Sequence, residues 1–328
     1  MELKAPVLDY HLHLWAHGEP AGAPLIDQIA AYCSRAEAAG IDEIAVTEHL
    51  FRFKQAERLM HGFWDDEPDG ELRRSMASYW RAHALADLDE YVSCVQEAKA
   101  MGLPVALGLE VDYYPGRMGE VATLLAGYPF DVLLGSVHWL GAWRFDDIGD
   151  QLSMSRWQDQ SAGAVWDAYS RAIEDLAGSG TCDVLAHLDL VKVAGHRPPV
   201  PEEWWDRLVE VAAGSAMAVE VSSAGWRKPI GEPYPAPGLL DRLVSRGVAL
   251  TTASDAHRLV DVADHASDLR SMLHAAGVST LRAFRGRVPL EVPLDARPTA
   301  EGRIAEGSIA ERTSTERTSV PGGGRDHR

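Results

Sequence analysis

Two histidines, His11 and His13, are separated by one residue in an apolar segment near the start of the chain. Residues i and i+2 of a β-strand point to the same side, so both imidazoles of a strand over residues 7–14 could bind one metal ion. Asp9 is expected on that same side, where it could bind the metal or orient the imidazoles. A half-buried strand with histidines at alternate positions by chance would look the same. The remaining ligands must therefore decide between the two interpretations.

Further candidate ligands follow a series of short apolar segments. Each segment is typical of a buried strand, and each ends in a histidine or a carboxylate. In chain order these residues are His13, His49, Glu110, His138, His187, Asp255 and His257. Imidazole and carboxylate suit zinc, iron or manganese, and a carboxylate can bridge two ions roughly 3.5–4 Å apart that share a nucleophilic hydroxide. Glu110 is the candidate for that bridge. A lone histidine is commonly an ordinary core or surface residue, but so many together favour a metal cluster.

The elements that carry these residues alternate between strand and helix. Strands are predicted at residues 7–14, 42–49, 104–112, 131–138, 182–187, 217–223 and 248–257. Helices are predicted at residues 25–40, 85–101, 118–126, 163–178, 201–214 and 237–247. Apolar strands without inward–outward alternation indicate a parallel sheet covered by helices.

Seven such units predict an α/β fold closed into a barrel. A β/α barrel places its chemistry at the carboxyl ends of its strands, which is where all the candidate ligands fall. An open doubly wound sheet is the alternative, but it would concentrate a site at one switch point instead of spreading ligands over six strands. Residues 50–82 are polar and aromatic-rich, and we expect them to form a long irregular excursion over the barrel mouth.

The composition is globular and restricts the range of partners. The chain has 328 residues, of which 46% are hydrophobic and 24% charged, without an apolar run that could span a bilayer. Its formal net charge of −18 argues against nucleic acid or an anionic membrane as a partner, because such surfaces require a basic footprint. A small anionic substrate remains compatible, since bound cations dominate the local field. We expect a cytoplasmic protein, because no secretory signal is recognisable and the three cysteines form no disulfide or metal pattern.

We expect one domain over residues 1–295. From about Arg297 the composition shifts to Glu, Arg, Ser, Thr and Gly, so residues 296–328 are predicted to form a disordered tail without a catalytic role. The sequence indicates no oligomeric state.

The segments around the candidate ligands resemble a known family. In order along residues 7–262, they are DYHLH at 9–13, TEH at 47–49, GLEVDY at 108–113, GSVH at 135–138, AHLD at 186–189 and SDAH at 254–257. This set is similar to the polymerase and histidinol phosphatase (PHP) superfamily. The segments EVDYYPG at 110–116 and SAGWRKPIGEPYP at 223–235 resemble its histidinol-phosphate phosphatase branch more closely than its polymerase branch.

The resemblance implies a distorted (β/α)7 barrel with two to three divalent ions of Zn, Mn or Fe at the C-terminal ends of the strands. The implied ligands of the first ion are His11, His13, Glu110 and Asp255. The second ion shares Glu110 and adds His138 and His187. The third takes His49, His257 and the histidine of the loop after the first strand, which is His17 here. Glu48 is expected only to support these ligands.

The resemblance also implies a reaction, in which a metal-bridging hydroxide attacks the phosphorus of a small phosphate ester. The expected catalytic residues are Glu110, Asp255 and His257. Arg227 and Lys228 follow the sixth strand and are expected to bind the phosphate, although a basic pair can also simply be solvated. L-histidinol phosphate is the leading expected substrate. The alternatives are another small phosphomonoester, an amidohydrolase-like metallohydrolase, for which no bridging lysine is found, and a non-catalytic module, which the intact ligand set argues against.

Overall fold

Seven parallel strands form a nearly closed barrel in the computed structural model, which describes residues 7–16, 19 and 21–295. The strands are β1 (Leu8–Leu12), β2 (Glu43–Val46), β3 (Val105–Asp112), β4 (Val132–Ser136), β5 (Val184–Leu185), β6 (Ala218–Ser222) and β7 (Leu250–Ala253). Each strand pairs with the next one along the chain. Between β7 and β1, the Thr252 hydroxyl donates to the Leu8 carbonyl oxygen at 2.7 Å, and a parallel bridge joins Leu12 to Ala256. The predicted barrel of seven units is confirmed.

Helices pack around this barrel and contribute one apolar face each to the core. They are α1 (Ile26–Ala38), α2 (Lys54–Met60), α3 (Gly70–His83), α4 (Leu88–Ala100), α5 (Met118–Leu125), α6 (Gln151–Gln158), α7 (Ala162–Gly178), α8 (Glu202–Gly214), α9 (Pro237–Ser245) and α10 (Ala266–Ala275). In α7, the Ser161 side chain caps the first turn by accepting from the Ala164 N–H, and Val165, Tyr169 and Ile173 recur on one buried face. The six predicted helices are all present, with ends shifted by a few residues.

The expectation of an irregular excursion over residues 50–82 was wrong, because much of this segment is helical. A short 3₁₀ turn is followed by α2 and α3. The Asp69 carboxylate caps α3 by accepting from two backbone N–H groups, and Leu72, Met76 and Trp80 follow each other at intervals of four residues on its buried face. The many polar residues on the opposite face obscured this periodicity in the sequence.

An antiparallel hairpin near the end of the described chain was not predicted. It consists of β8 (Thr280–Arg285) and β9 (Val288–Pro293), joined by Gly286 and Arg287 with φ angles of 53° and 66°. A two-residue turn with positive φ at both positions matches the twist of the two strands that it joins. The sequence Gly-Arg is uncommon in such turns, so it did not indicate a hairpin. Arg287 pairs with Asp183 at 3.0 Å, just before β5, so the hairpin packs at the amino-terminal end of the barrel.

The described residues belong to one compact unit. The domain boundary at residue 295 and the disordered tail over 296–328 stay predictions, because residues 296–328 lie outside the described residues. Among the residues that the structure describes, no helix is long and apolar enough to cross a membrane.

Gly108 on β3 lies where a side chain would collide with both neighbouring strands. A Cβ atom there would be 2.6 Å from the Thr47 Cγ2 and 3.0 Å from the Val132 Cγ1. Overpacking a core costs about 1–3 kcal/mol, so we expect Gly108→Ala to lower the free energy of unfolding by about that amount in urea denaturation. Gly119→Ala on α5 is the control, because a Cβ there meets no described atom within 4 Å and alanine favours helix. Equal stability of Gly108→Ala and the wild type would contradict the prediction.

Candidate metal centre

The candidate ligands that the structure describes meet at the carboxyl-terminal end of the barrel. Within this cluster, each residue belongs to at least one group of three whose ligand atoms lie within 4.8 Å of one another. The members are His11, His13, His49, Glu110, His138, His187, Asp255 and His257. His17, the remaining predicted ligand, lies outside the described residues. The rings of His11 and His13 are 5.0 Å apart, on the same side of the chain as predicted from their spacing.

Glu110 lies at the centre of the cluster, and its two carboxylate oxygens face different histidines. Oε1 is 3.2 Å from His138 Nε2 and 3.0 Å from His187 Nε2. Oε2 is 2.6 Å from His49 Nδ1, 3.3 Å from His11 Nε2 and 3.5 Å from the His13 ring. Glu110 therefore divides the histidines into two sets, one for each oxygen, as a bridging carboxylate would.

Asp255 and His257 complete the side of the cluster near β1. Asp255 Oδ1 lies 3.9 Å from His11 Nε2 and 3.5 Å from His13 Nε2. The His257 ring stacks on the His13 ring with centroids 4.0 Å apart. The His49 ring also stacks on the His13 ring, with centroids 4.3 Å apart. Among the described residues, His13 is thus the third member of the group that contains His49 and His257.

The donor atoms of this cluster fit a metal ion. His11 Nε2, His13 Nε2 and Glu110 Oε2 are buried, and none of them makes a well-oriented hydrogen bond to a described residue, although Glu110 Oε2 lies 2.6 Å from His49 Nδ1. Buried polar atoms without partners are costly, and a cation between them would engage all three. Nitrogen and oxygen donors of this kind suit first-row divalent metals. The residues present therefore fit a site for such an ion.

A second layer of carboxylates orients the imidazoles. Glu220 Oε2 is 2.7 Å from His11 Nδ1, and Asp112 Oδ1 is 2.7 Å from His138 Nδ1. A carboxylate on one ring nitrogen fixes the tautomer and leaves the other nitrogen as the ligand. Sequence reasoning did not assign either carboxylate a role. The available signal was a carboxylate inside an apolar strand, which is costly to bury without a partner.

Charge inside the cluster shifts the pKa values of its members. Burial lowers the pKa of the His138 imidazole, but the Glu110 and Asp112 carboxylates outweigh burial and hold that pKa well above its ordinary value. Burial raises the pKa of Glu110, yet the charges of His49, His138 and His11 hold it well below its usual range. The carboxylates thus attract positive charge into the cluster, which is what a bound cation would supply.

Asp9 does not contact the imidazoles as expected. Its carboxylate accepts from the Ser254 N–H and hydroxyl, both at 2.7 Å, and from the Ala263 N–H at 3.0 Å. These donors satisfy the Asp9 carboxylate away from the imidazoles, and the register of β1 against β2 shifts between Asp9 and Leu12. Asp9 instead ties β1 to the segment that carries Asp255. Glu48 has the supporting place expected of it, since its carboxylate accepts from the backbone N–H of Trp15 at 3.0 Å.

Two residues of the cluster have strained backbones. His187 and Asp255 have φ angles of 26° and 50°, in the left-handed region that non-glycine residues rarely adopt. The Glu220 carboxylate accepts from the His187 N–H at 3.3 Å, and the Arg227 guanidinium donates to the Asp255 carbonyl oxygen at 3.1 Å. Neighbouring side chains therefore hold both residues in conformations that turn their side chains into the cluster.

The two basic residues after β6 have different places. Arg227 donates to the carbonyl oxygens of Ser254 and Asp255 and pairs with Asp264 at 3.4 Å, so it holds the backbone beside the cluster. It is not among the residues that line the cavity. Lys228 lines the cavity. We expected both residues to bind phosphate directly. Lys228 faces the cavity where a phosphate could bind, whereas the Arg227 guanidinium is already bonded to other residues of the protein.

A cavity of about 470 Å³ opens over the cluster, within the size range of small-molecule sites. Besides the cluster, its walls include Phe51, Tyr79, His83, Trp139, Arg144, Asp146, Asp147, Lys228 and Tyr234. Trp139 lines this cavity, whereas Trp64 and Trp80 pack on each other with centroids 5.5 Å apart inside an aromatic core.

Comparisons with known proteins agree with this site. The model of the PHP domain family matches residues 10–224. A protein of Deinococcus radiodurans named "probable histidinol-phosphatase" is 33% identical over 282 residues, which cover 85% of this chain and 96% of that protein. The crystal structure of histidinol phosphate phosphatase from Lactococcus lactis, complexed with zinc, L-histidinol and phosphate, aligns with a TM-score of 0.62 at 20% identity over 86% of this chain and 98% of that one. The chain therefore belongs to the PHP domain family.

Proposed function

We propose that this protein is a metal-dependent phosphomonoesterase that hydrolyses L-histidinol phosphate to L-histidinol and phosphate. The observation that carries the proposal is the buried Glu110, whose two oxygens face separate histidines on the floor of a cavity. Family membership and the name of the Deinococcus relative support the reaction. The ligands in the Lactococcus structure support the substrate.

Two to three divalent ions of zinc, manganese or iron would be held by the cluster. The proposed ligands are His11, His13, Glu110 and Asp255 for one ion, Glu110, His138 and His187 for another, and His49, His257 and His17 for a third. When bound, such ions lower the pKa of a water molecule and neutralise charge on phosphoryl oxygens. Zinc in the Lactococcus structure supports this choice of ions.

The residues of the chain itself bind and orient. Glu220 and Asp112 fix the ring orientations of His11 and His138. Lys228 lines the cavity and would bind the phosphate oxygens, whereas Arg144, another cation of the cavity wall, pairs with Asp147. Arg227 acts through Asp255, whose carbonyl oxygen it holds, so we propose it as a positioning residue. A bound substrate packed against the aromatic walls would displace water, which would strengthen these electrostatic interactions.

The test is phosphate release from the purified full chain loaded with manganese or zinc. We expect selective turnover of L-histidinol phosphate within a panel of small phosphomonoesters. Removing the ions with a chelator should abolish turnover, and adding them back should restore it. Because most of the proposed ligands are imidazole nitrogens and Mg²⁺ prefers oxygen ligands, restoration by magnesium alone is not expected.

Each other outcome has a defined meaning. Selective turnover of a different ester would keep the metal site and replace the substrate. No turnover of any ester by metal-loaded protein would refute the phosphatase and favour an amidohydrolase-like or non-catalytic role. Activity that survives complete removal of metal would refute the metal requirement. A cytoplasmic location stays a prediction from the sequence.

A further inference from the structure

Asp146 and Asp147 both line the cavity, but only one of them is neutralised by the protein. Asp147 forms an ion pair with Arg144, which also lies 3.5 Å from Asp150 and stacks over the Tyr79 ring at 4.3 Å. The Asp146 side chain has no hydrogen bond or ion pair with any residue that the structure describes. Asp146 is therefore a cavity carboxylate without a directly bonded counter-ion among the described residues.

The surroundings of Asp146 make an unpaired negative charge unfavourable. Burial raises the pKa of its carboxyl to about 6. The positive groups that act on it are His138, His187 and Lys228, and the negative one is Asp147. An ionised carboxylate that has lost much of its hydration gains from a cation bound directly beside it. A ligand that carries a positive charge would supply that cation.

The position of Asp146 indicates which cation this is. Asp146 lines the same cavity as Glu110 and as His138 and His187, the two imidazoles at Glu110 Oε1. L-histidinol phosphate carries a primary ammonium group two carbons from its ester oxygen, whereas its imidazole lies further away. With the phosphate held at the metals and Lys228, the ammonium group is the cation that reaches this part of the wall.

We infer that the Asp146 carboxylate accepts a hydrogen bond from the ammonium group of the substrate and thereby selects phosphate esters of amino alcohols over uncharged alcohols. The inference rests on the proposed function and names the residue that sets its specificity. Asp146 takes no part in bond breaking. Its contribution is a charge-assisted hydrogen bond, among the stronger ones that proteins form.

The experiment compares Asp146→Asn with the wild type on three esters. They are L-histidinol phosphate, its analogue with hydrogen in place of the amino group, and its analogue with hydrogen in place of the imidazole. We expect Asp146→Asn to lower kcat/KM about 10–100-fold for both amine-bearing esters, as loss of a charged hydrogen bond does, and to leave the desamino ester unaffected. The control is Asp159→Asn, the same change on an exposed carboxylate outside the cavity, which should match the wild type on all three.

The outcomes that overturn the inference are distinct. Equal losses on all three esters, or no loss on any, would show that Asp146 does not recognise the ammonium group. A loss on both imidazole-bearing esters that is absent on the third would assign Asp146 to the imidazole. Reduced metal content in Asp146→Asn would mean that it acts through the metal centre. If the wild type hydrolyses none of the esters, the proposed function itself fails, and the inference with it.

Discussion

Glu110→Gln is expected to lower kcat/KM for L-histidinol phosphate by at least about 10³-fold. Metal ions contribute several kcal/mol of transition-state stabilisation, and each ~1.4 kcal/mol is a factor of ten in rate. Glutamine keeps the shape of Glu110 but replaces one oxygen by an NH₂ group, which cannot bind a cation. Since Oε1 and Oε2 each face their own histidines, either orientation of the amide removes one side of the bridge.

The measurement pairs steady-state kinetics with the metal content of the purified variant. Glu97→Gln, the same change on an exposed face of α4, is the control and should retain both activity and metal. An unfolding transition like that of the wild type would show that the barrel is intact. Near-normal turnover by Glu110→Gln with a full complement of metal would rule out a bridging role for this carboxylate.

Glu220→Gln is expected to weaken metal binding and activity about 10–100-fold, the usual effect of removing a carboxylate behind a metal-binding histidine. Glu220 acts on two histidines at once, since Oε2 is paired with His11 Nδ1 at 2.7 Å and Oε1 accepts from the His187 N–H at 3.3 Å. An amide can satisfy only one of these contacts as the carboxylate does. The other then faces an NH₂ group, and the orientation of that histidine is lost.

Because Glu220 is a positioning residue, its test needs a readout beyond rate. Metal affinity, measured by competition with a chromogenic chelator, should fall with kcat/KM, and excess metal should restore much of the activity of Glu220→Gln. The same excess should not rescue Glu110→Gln, which lacks a ligand. Unchanged metal affinity in Glu220→Gln would refute the role, as would a loss of activity that no metal concentration relieves.

The barrel and its ligand-bearing rim were predictable because they depend on local patterns. Apolar strands that end in a histidine or a carboxylate recur along the chain, and a parallel barrel brings all such ends to one rim. His138 and Asp255 could thus be assigned to one site from their positions alone. The spacing of His11 and His13 likewise predicted two imidazoles on one side, and their rings lie 5.0 Å apart.

The partners of these ligands were not predictable, because they depend on tertiary contacts without a local signal. Glu220 meets His11 across a separation of 209 residues, and nothing in either segment specifies the other. Arg227 looked like a phosphate ligand from its place after β6, but its hydrogen bonds go to the backbone of Ser254 and Asp255. Asp146 lies in an irregular loop, where no periodicity indicates which way a side chain points.

The barrel closes between β1, its first strand along the chain, and β7, its last. A chain that is still being synthesised can therefore complete the proposed metal site only after β7 has been made. Asp9 and Ser254, which join β1 to the end of β7, are 245 residues apart. The group of His11, His13 and Asp255 therefore stays incomplete until nearly the whole barrel has been synthesised. During translation, His11 and His13 would lack Asp255, so a metal captured early would have only part of its proposed ligands. Selection of the final ion would thus be a late event, which belongs to the finished barrel and not to the nascent chain.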